Sequence, residues 1–202
     1  LNHVRAGSPT VDDMNRLNDR FSPAFIPKPE DGYIRLTTHN RLADSYNENE
    51  LLKLPGKRYT FTATITGDFP QANYPADLNL VLKEGAQVMF IKNDASPKHE
   101  YYNGKIGHVV ALSEKSITVK CPGDSNTIQV AQEIWENTKY VINPEKKTIE
   151  PQVAGTFTQY PLRLAWAITI HKSQGLTFEH AIIDAGFSFA SGQVYVALSR
   201  CK

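Results

Sequence analysis

The residues best equipped for chemistry lie near the end of this chain. Ala167-Ile-Thr-Ile-His-Lys-Ser-Gln-Gly-Leu-Thr-Phe178 opens as an apolar run and stops at His171, Lys172, Ser173, Gln174 and Gly175. That order reads as a buried strand delivering polar and cationic groups to its carboxyl end, where open α/β sheets bind ligands. Thr169, His171 and Lys172 carry a hydroxyl, an imidazole and an ammonium, all ordinary partners of a phosphate backbone. If Thr169 and His171 face a groove, Ile168 and Ile170 must face the core, because successive strand residues point to opposite sides. The amide of Gln174 both donates and accepts, and Gly175 allows close backbone approach, although a plain strand-to-helix turn would also call for a glycine. A second run, Gln193-Val-Tyr-Val-Ala-Leu-Ser-Arg200, fits a strand or a buried helical turn. Either way Arg200 follows an apolar anchor, and its guanidinium fork is the side chain best suited to bridging phosphate oxygens.

Two further clusters stand upstream. Thr37, Thr38, His39, Asn40 and Arg41 sit between a short β-former run and a polar helical stretch. Helix N-terminal amides favour anions there, while Thr38 or Asn40 could equally serve as the helix cap. Lys98, His99, Tyr101, Tyr102, Asn103 and Lys105 combine cations with aromatic faces, the means by which single strands are held without sequence reading. A tyrosine pair covering a core is the plainer alternative. One word is missing from the sequence: no G-x-x-x-x-G-K-[ST] occurs, so nothing here wraps a nucleotide's phosphates in glycine amides.

The elements that must position these residues follow from periodicity and punctuation. Two helical pieces are expected before Phe21, with Thr10 capping the second. Pro23, Pro27 and Pro29 stop helix there. Tyr33 to Thr38 reads as a strand, followed by a helix to about Leu54, the grammar of an α/β domain. From Arg58 to Gly67, Tyr59, Phe61, Ala63 and Ile65 alternate with threonines, which predicts one half-buried strand. Short elements follow at Leu78 to Leu82 and Gln87 to Ile91. From about Lys92 to Pro161 the runs His108 to Leu112, Ser116 to Cys121, Thr127 to Val130 and Lys139 to Ile142 are separated by turns at Asn103-Gly104, Gly107, Pro122-Gly123-Asp124 and Asn143-Pro144. That spacing predicts a small antiparallel barrel. Trp135 and Trp166 are expected in the core.

With 202 residues and 41% apolar content the chain can bury a real core. A formal charge of +1 is too small for a free-standing DNA-binding domain, but four Lys/Arg against two acids from Arg163 to Lys202 make that end locally basic. Cys121 and Cys201 lack metal-ligand spacing and read as reduced thiols. No apolar span of membrane length or signal peptide is seen. Beginning at Leu1 without methionine, the chain is expected to be an excised piece of a longer protein.

The two segments near the end resemble motifs V and VI of superfamily-one DNA helicases of the RecD and PIF (petite integration frequency) branch. Ile34-Arg-Leu-Thr-Thr-His-Asn-Arg41 resembles motif IV, and Leu82-Lys-Glu-Gly-Ala-Gln-Val-Met-Phe-Ile-Lys-Asn93 resembles the strand region leading into a small inserted domain. The resemblance implies an α/β fold: a RecA-like parallel sheet at 1–91 and 162–202, interrupted by an SH3-like β-barrel at 92–161. It implies that Arg200 is an arginine finger reaching the γ-phosphate, that Ser173, Gln174, Gly175 and Arg41 lie on the nucleotide side, and that Thr37, Thr38, His39, Asn40, Thr169, His171 and Lys172 touch DNA, with Tyr101, Tyr102 and Lys105 as a further contact surface. ATP and Mg²⁺ would be bound mainly by a first RecA-like domain of the same parent, with no cofactor held tightly by this piece and no metal site in it. The implied partners are single-stranded DNA and that first domain, with no membrane. The implied location is the cytoplasm of a bacterium, or the nucleus or mitochondrion of a eukaryote. Two other classes stay open: a passive single-strand-binding module, and a protein-interaction module working through the barrel.

Overall fold

The computed structural model describes residues 1–28, 31–143, 148–184, 186 and 192–201. Pro29 and Pro144, cited above as punctuation, lie outside them. In chain order the elements are α1 (Asn2–Arg5), α2 (Val11–Asn18), β1 (Ile34–Thr37), α3 (Asn40–Lys53), β2 (Tyr59–Thr62), β3 (Thr64–Gly67), β4 (Asn79–Leu82), β5 (Gln87–Phe90), β6 (Ile106–Ser113), β7 (Ser116–Lys120), β8 (Thr127–Val130), β9 (Glu133–Asn143), β10 (Thr148–Gln159), β11 (Leu162–Leu164), β12 (Ala167–Thr169), β13 (Ala181–Ile183) and α4 (Gln193–Leu198). They fall into two compact units, Leu1–Lys53 with Leu164–Lys202, and Leu54–Arg163. Among the described residues no helix is long and apolar enough to cross a membrane.

The first unit is α/β. Thr10 starts α2 through a capping box: its hydroxyl oxygen accepts from Asp13 N, and the Asp13 carboxylate accepts from Thr10 N at 2.8 Å. Hydrogen bonds from Thr10 hold the Asp13 carboxyl well below the usual carboxylate range. The sheet runs β12-β1-β13, with both pairings parallel. Ile34 and Leu36 on the central strand are fully buried, joined by Ala43 and Leu51 of α3, by Ile168 and Ile170, and by Leu176, Phe178 and Ala197. Each large side chain among them contributes about 1.5–3 kcal/mol through burial.

Asn47 shows how a mostly polar helix binds this sheet. It lies one turn from Ala43 and one from Leu51, on the buried face of α3. Its Nδ2 donates to Ala167 O and its Oδ1 accepts from Ala167 N, both at 2.8 Å. A side-chain amide thus satisfies the outer edge of β12 as a further strand would.

In the second unit β2 pairs with β4, β3 and β9 lie on either side of β10, and a further sheet runs in the order β11-β5-β6-β7-β8, with antiparallel pairing between β2 and β4, around β10 and from β5 to β8. It begins at Leu54, upstream of the expected boundary near 92. The reason is pairing: β5, expected to belong to the α/β part, hydrogen-bonds antiparallel to β6. The alternating run from Arg58 to Gly67 keeps its period, with Phe61 buried and the threonines outward, yet it forms two strands. At Ala63, whose N–H donates to Leu78 O, the chain leaves β4 and joins β10.

The Lys139 to Ile142 run is part of a much longer hairpin. β9 and β10 pair from Thr148↔Asn143 to Gln159↔Glu133, with a register shift between Val153 and Gly155. Fully buried Gln159 ties this hairpin to the rest of the unit. Its Nε2 donates to Phe61 O at 2.8 Å, and its Oε1 accepts from Tyr160 N at 2.9 Å. Trp135 and Trp166 are half-buried rather than core, and the Lys92 ammonium stands 5.0 Å from the centre of the Trp135 ring. Both cysteines are free, and burial pushes the Cys121 thiol up to about 11.

Candidate functional site

Strands β1 and β12 end side by side, with Thr37 in register with Thr169, so the two upstream clusters meet at one carboxyl edge of the parallel sheet. Burial then sorts their residues. Thr37, Thr38, Thr169 and Ser173 are buried, whereas His39, Asn40, Arg41, His171, Lys172, Gln174 and Gly175 are exposed. The buried hydroxyls serve the local backbone. Thr37 Oγ1 donates to His39 O at 3.3 Å, Thr169 Oγ1 accepts from Lys172 N at 3.3 Å, and Ser173 Oγ donates to Ile170 O at 2.7 Å. Thr38 Oγ1 pairs with His39 Nδ1 at 2.8 Å, and so engages a ring. Ile168 and Ile170 are core as expected, but Thr169 is buried with them, because β12 is covered on both faces.

Residues 170–175 form one helix-like turn. Ser173 N donates to Thr169 O, Gln174 N to His171 O, and Leu176 N to Ser173 O. Gly175 closes it at φ +79°, with open space where a Cβ would stand. The glycine is needed for its backbone angle and not for room. His171, Lys172 and Gln174 are thereby displayed on a turn held by backbone hydrogen bonds and by the Thr169 and Ser173 hydroxyls.

The two readings of the Gln193 to Arg200 run are resolved as a helix, α4, with Ser199 at its C-cap. Arg200 folds back onto the end of the 170–175 turn. Its Nη1 donates to Leu176 O at 3.3 Å, its Nε to Val196 O at 3.2 Å, and its Nη2 to Ser199 Oγ at 2.9 Å. The backbone follows: Phe178 N donates to Arg200 O at 2.8 Å, and Phe178 bridges Cys201 in parallel fashion. Every partner of the guanidinium among the described residues belongs to the α/β unit. Among the described residues three of its five N–H groups are engaged, one of them on Nη1 and one on Nη2.

The aromatic cluster in the antiparallel unit is broken up. Tyr101 is buried and stacked on Phe90, with ring centroids 4.2 Å apart, and burial together with the nearby Glu133 carboxylate pushes its phenol up to about 12. Lys105 is tied to Asp124 Oδ2 and Glu100 O, each at 2.7 Å. Tyr102 alone of the three is open to solvent, at 58% exposure. Asp94 organises the loop before them. Burial would raise its carboxyl, but hydrogen bonds from Ser96 and from Glu100 N outweigh that and hold it low. The sequence reading overlooked Asn47, Ser199 and the Leu176 carbonyl. Only Asn47 carried a signal, as a polar residue four positions from both Ala43 and Leu51 on an otherwise apolar stripe.

Parallel strands ending on a polar turn, with an antiparallel β unit inserted in the chain between α3 and β12, define the class: a RecA-like α/β unit carrying a small β insertion. No family model matches the chain. It is 31% identical over 214 residues to the ATP-dependent DNA helicase Pif1 of Psychrobacter sp., covering 83% of this chain and 32% of the relative. To the ATP-dependent DNA helicase Pif1 of Bdellovibrio bacteriovorus it is 31% identical, over 100% of this chain and 44% of the relative. Unliganded Pif1 from Bacteroides sp. superposes with a TM-score of 0.90 at 38% identity, over 99% of this chain and 45% of that one. Bacteroides Pif1 in complex with ADP-AlF3 and single-stranded DNA superposes at 0.74, over 100% of this chain and 45% of that one. The chain belongs to the Pif1 branch of the superfamily-one helicases. It spans less than half the length of these relatives.

Proposed function

We propose that this chain is the second RecA-like half of an ATP-dependent DNA helicase, completing a nucleotide site held mainly by a first RecA-like domain and lining part of a single-strand DNA track. Its relatives are named ATP-dependent DNA helicases, and a structural neighbour holds ADP-AlF3 and single-stranded DNA. The observation that carries the proposal is the hydrogen bond from Arg200 to Leu176 O, directly after the 170–175 turn. It puts the cation suited to a terminal phosphate and the groups suited to a DNA backbone on one continuous hydrogen-bonded segment.

In this reading ATP with Mg²⁺ supplies the phosphoanhydride whose hydrolysis drives movement. Arg200 offers the second N–H of Nη1 and of Nη2, unengaged among the described residues, to γ-phosphate oxygens, and guanidinium charge there stabilises the negative charge that develops on transfer. Gln174 and Arg41 lie exposed for nucleotide or water contacts, Gly175 supplies the left-handed backbone angle that shapes the nucleotide-side turn, and Ser173 holds the turn from inside. His39, Asn40, His171 and Lys172 meet DNA phosphates, while Thr37, Thr38 and Thr169 support them from the buried side. Tyr102 is the remaining candidate for base stacking in the inserted unit. Such a role belongs in the cytoplasm of a bacterium, or in the nucleus or mitochondrion of a eukaryote.

The purified chain tests this directly. It is expected to turn over no ATP in the presence of Mg²⁺, because the sequence has no P-loop, and to bind single-stranded oligonucleotide with an affinity that falls as salt rises. Magnesium-dependent hydrolysis by the chain alone, or no detectable binding at low salt, would contradict the proposal.

A further inference from the structure

We propose that Ser199 is a positioning residue for Arg200, holding the guanidinium edge so that its remaining donors face the nucleotide. The inference deepens the reading of Arg200 given above and rests on it. Ser199 stands at the C-cap of α4 with φ −74° and ψ −5°. Its hydroxyl donates to Val196 O at 2.8 Å. A serine hydroxyl has a single proton, so once that proton is committed to a carbonyl the oxygen can only accept from other neighbours.

What it accepts from is one edge of the guanidinium. Ser199 Oγ lies 2.9 Å from Nη2 and 3.3 Å from Nε of Arg200. Val196 O receives Nε as well, and Leu176 O receives Nη1 at 3.3 Å. The two carbonyls are backbone atoms of α4 and of the segment after Gly175, which no side-chain substitution removes. Ser199 is the one side chain among the described residues that grips the fork. A flexible arginine stem samples many rotamers, and donors aimed beforehand cost no reorganisation when charge develops. The hydroxyl therefore acts on the rate through Arg200 without touching substrate.

The test uses the full-length protein with saturating single-stranded DNA, reading kcat and KM for ATP in Ser199→Ala, Ser199→Val, Ser199→Thr and Arg200→Lys. Val has the shape of Thr without its hydroxyl, so the pair separates hydrogen bonding from packing. Loss of a hydrogen bond to a charged group predicts a fall in kcat of about tenfold or more for Ala and Val, with KM within about twofold and Thr within about threefold of wild type. Single-strand binding without nucleotide serves as the folding check for each variant. If all three Ser199 variants keep wild-type kcat, if Thr falls as far as Val, or if the change lies in KM alone, the positioning role is wrong. Arg200→Lys separates the two levels. Turnover retained in that variant overturns the reading of Arg200 itself, whereas turnover lost there but kept in the Ser199 variants overturns only the present inference.

Discussion

Tyr101 and Tyr102 are neighbours in sequence with opposite surroundings, and the difference decides which of them can meet a ligand. Composition told that aromatic and cationic groups gather there, but not which way each points, since a loop has no period from which to read a face. Tyr101 stacks on Phe90 and is buried, while Tyr102 stands in solvent. Truncating Tyr101 to Ala should therefore destabilise the protein by about 3 kcal/mol, as loss of a buried aromatic does, whereas Tyr102→Ala should stay within about 0.5 kcal/mol. Urea unfolding of the two variants checks this, and equal destabilisation would refute the assignment. The same limit applied to the hydroxyl residues. Thr37, Thr38, Thr169 and Ser173 have the right chemistry for phosphate, yet backbone neighbours claim Thr37, Thr169 and Ser173 first, as short polar side chains beside turns commonly are claimed, and the His39 ring claims Thr38.

At the level of elements, period and punctuation read well wherever a segment had one partner throughout. The strands at Ile34–Thr37, Ser116–Lys120 and Thr127–Val130 and the helix Asn40–Lys53 fall where alternation, β-branching and turn residues put them. Failures came where tertiary pairing overrode a local pattern. The 58–67 run alternates correctly but changes sheets at Ala63, and the outer β9–β10 hairpin carries exposed Tyr140, Ile142 and Ile149, so hydrophobicity there marks no core. Helix α4 was undecidable because Val-Tyr-Val suits either structure and the run is too short to show a 3.6 period. Asn47 is the element-scale feature with the sharpest consequence. Asn47→Ala would leave the Ala167 N–H and C=O at the edge of β12 without partners, a cost of about 2–4 kcal/mol from two lost buried hydrogen bonds. Chemical denaturation measures it, and a change below about 0.5 kcal/mol would mean the amide is not what seals that edge.

On the scale of the whole chain, the ordered set of four sequence words suffices to point to the family, and the α/β grammar with an antiparallel insertion is legible alongside it. The extent of the insertion was not, because β2, β4 and β5 look like strands of any sheet until their partners are known. Functionally, everything converges on Arg200. In the proposed function Arg200, hydrogen-bonded to Leu176 and Ser199, serves the nucleotide while the exposed groups of the 170–175 turn serve DNA, so ATP turnover and strand binding should be separable by one substitution. The most direct measurement is DNA-stimulated ATP hydrolysis by the full-length protein carrying Arg200→Ala. Turnover is predicted to fall about 10³-fold or more, with nucleotide-free single-strand binding within about threefold of wild type. Hydrolysis within about tenfold of the unaltered protein would contradict the account.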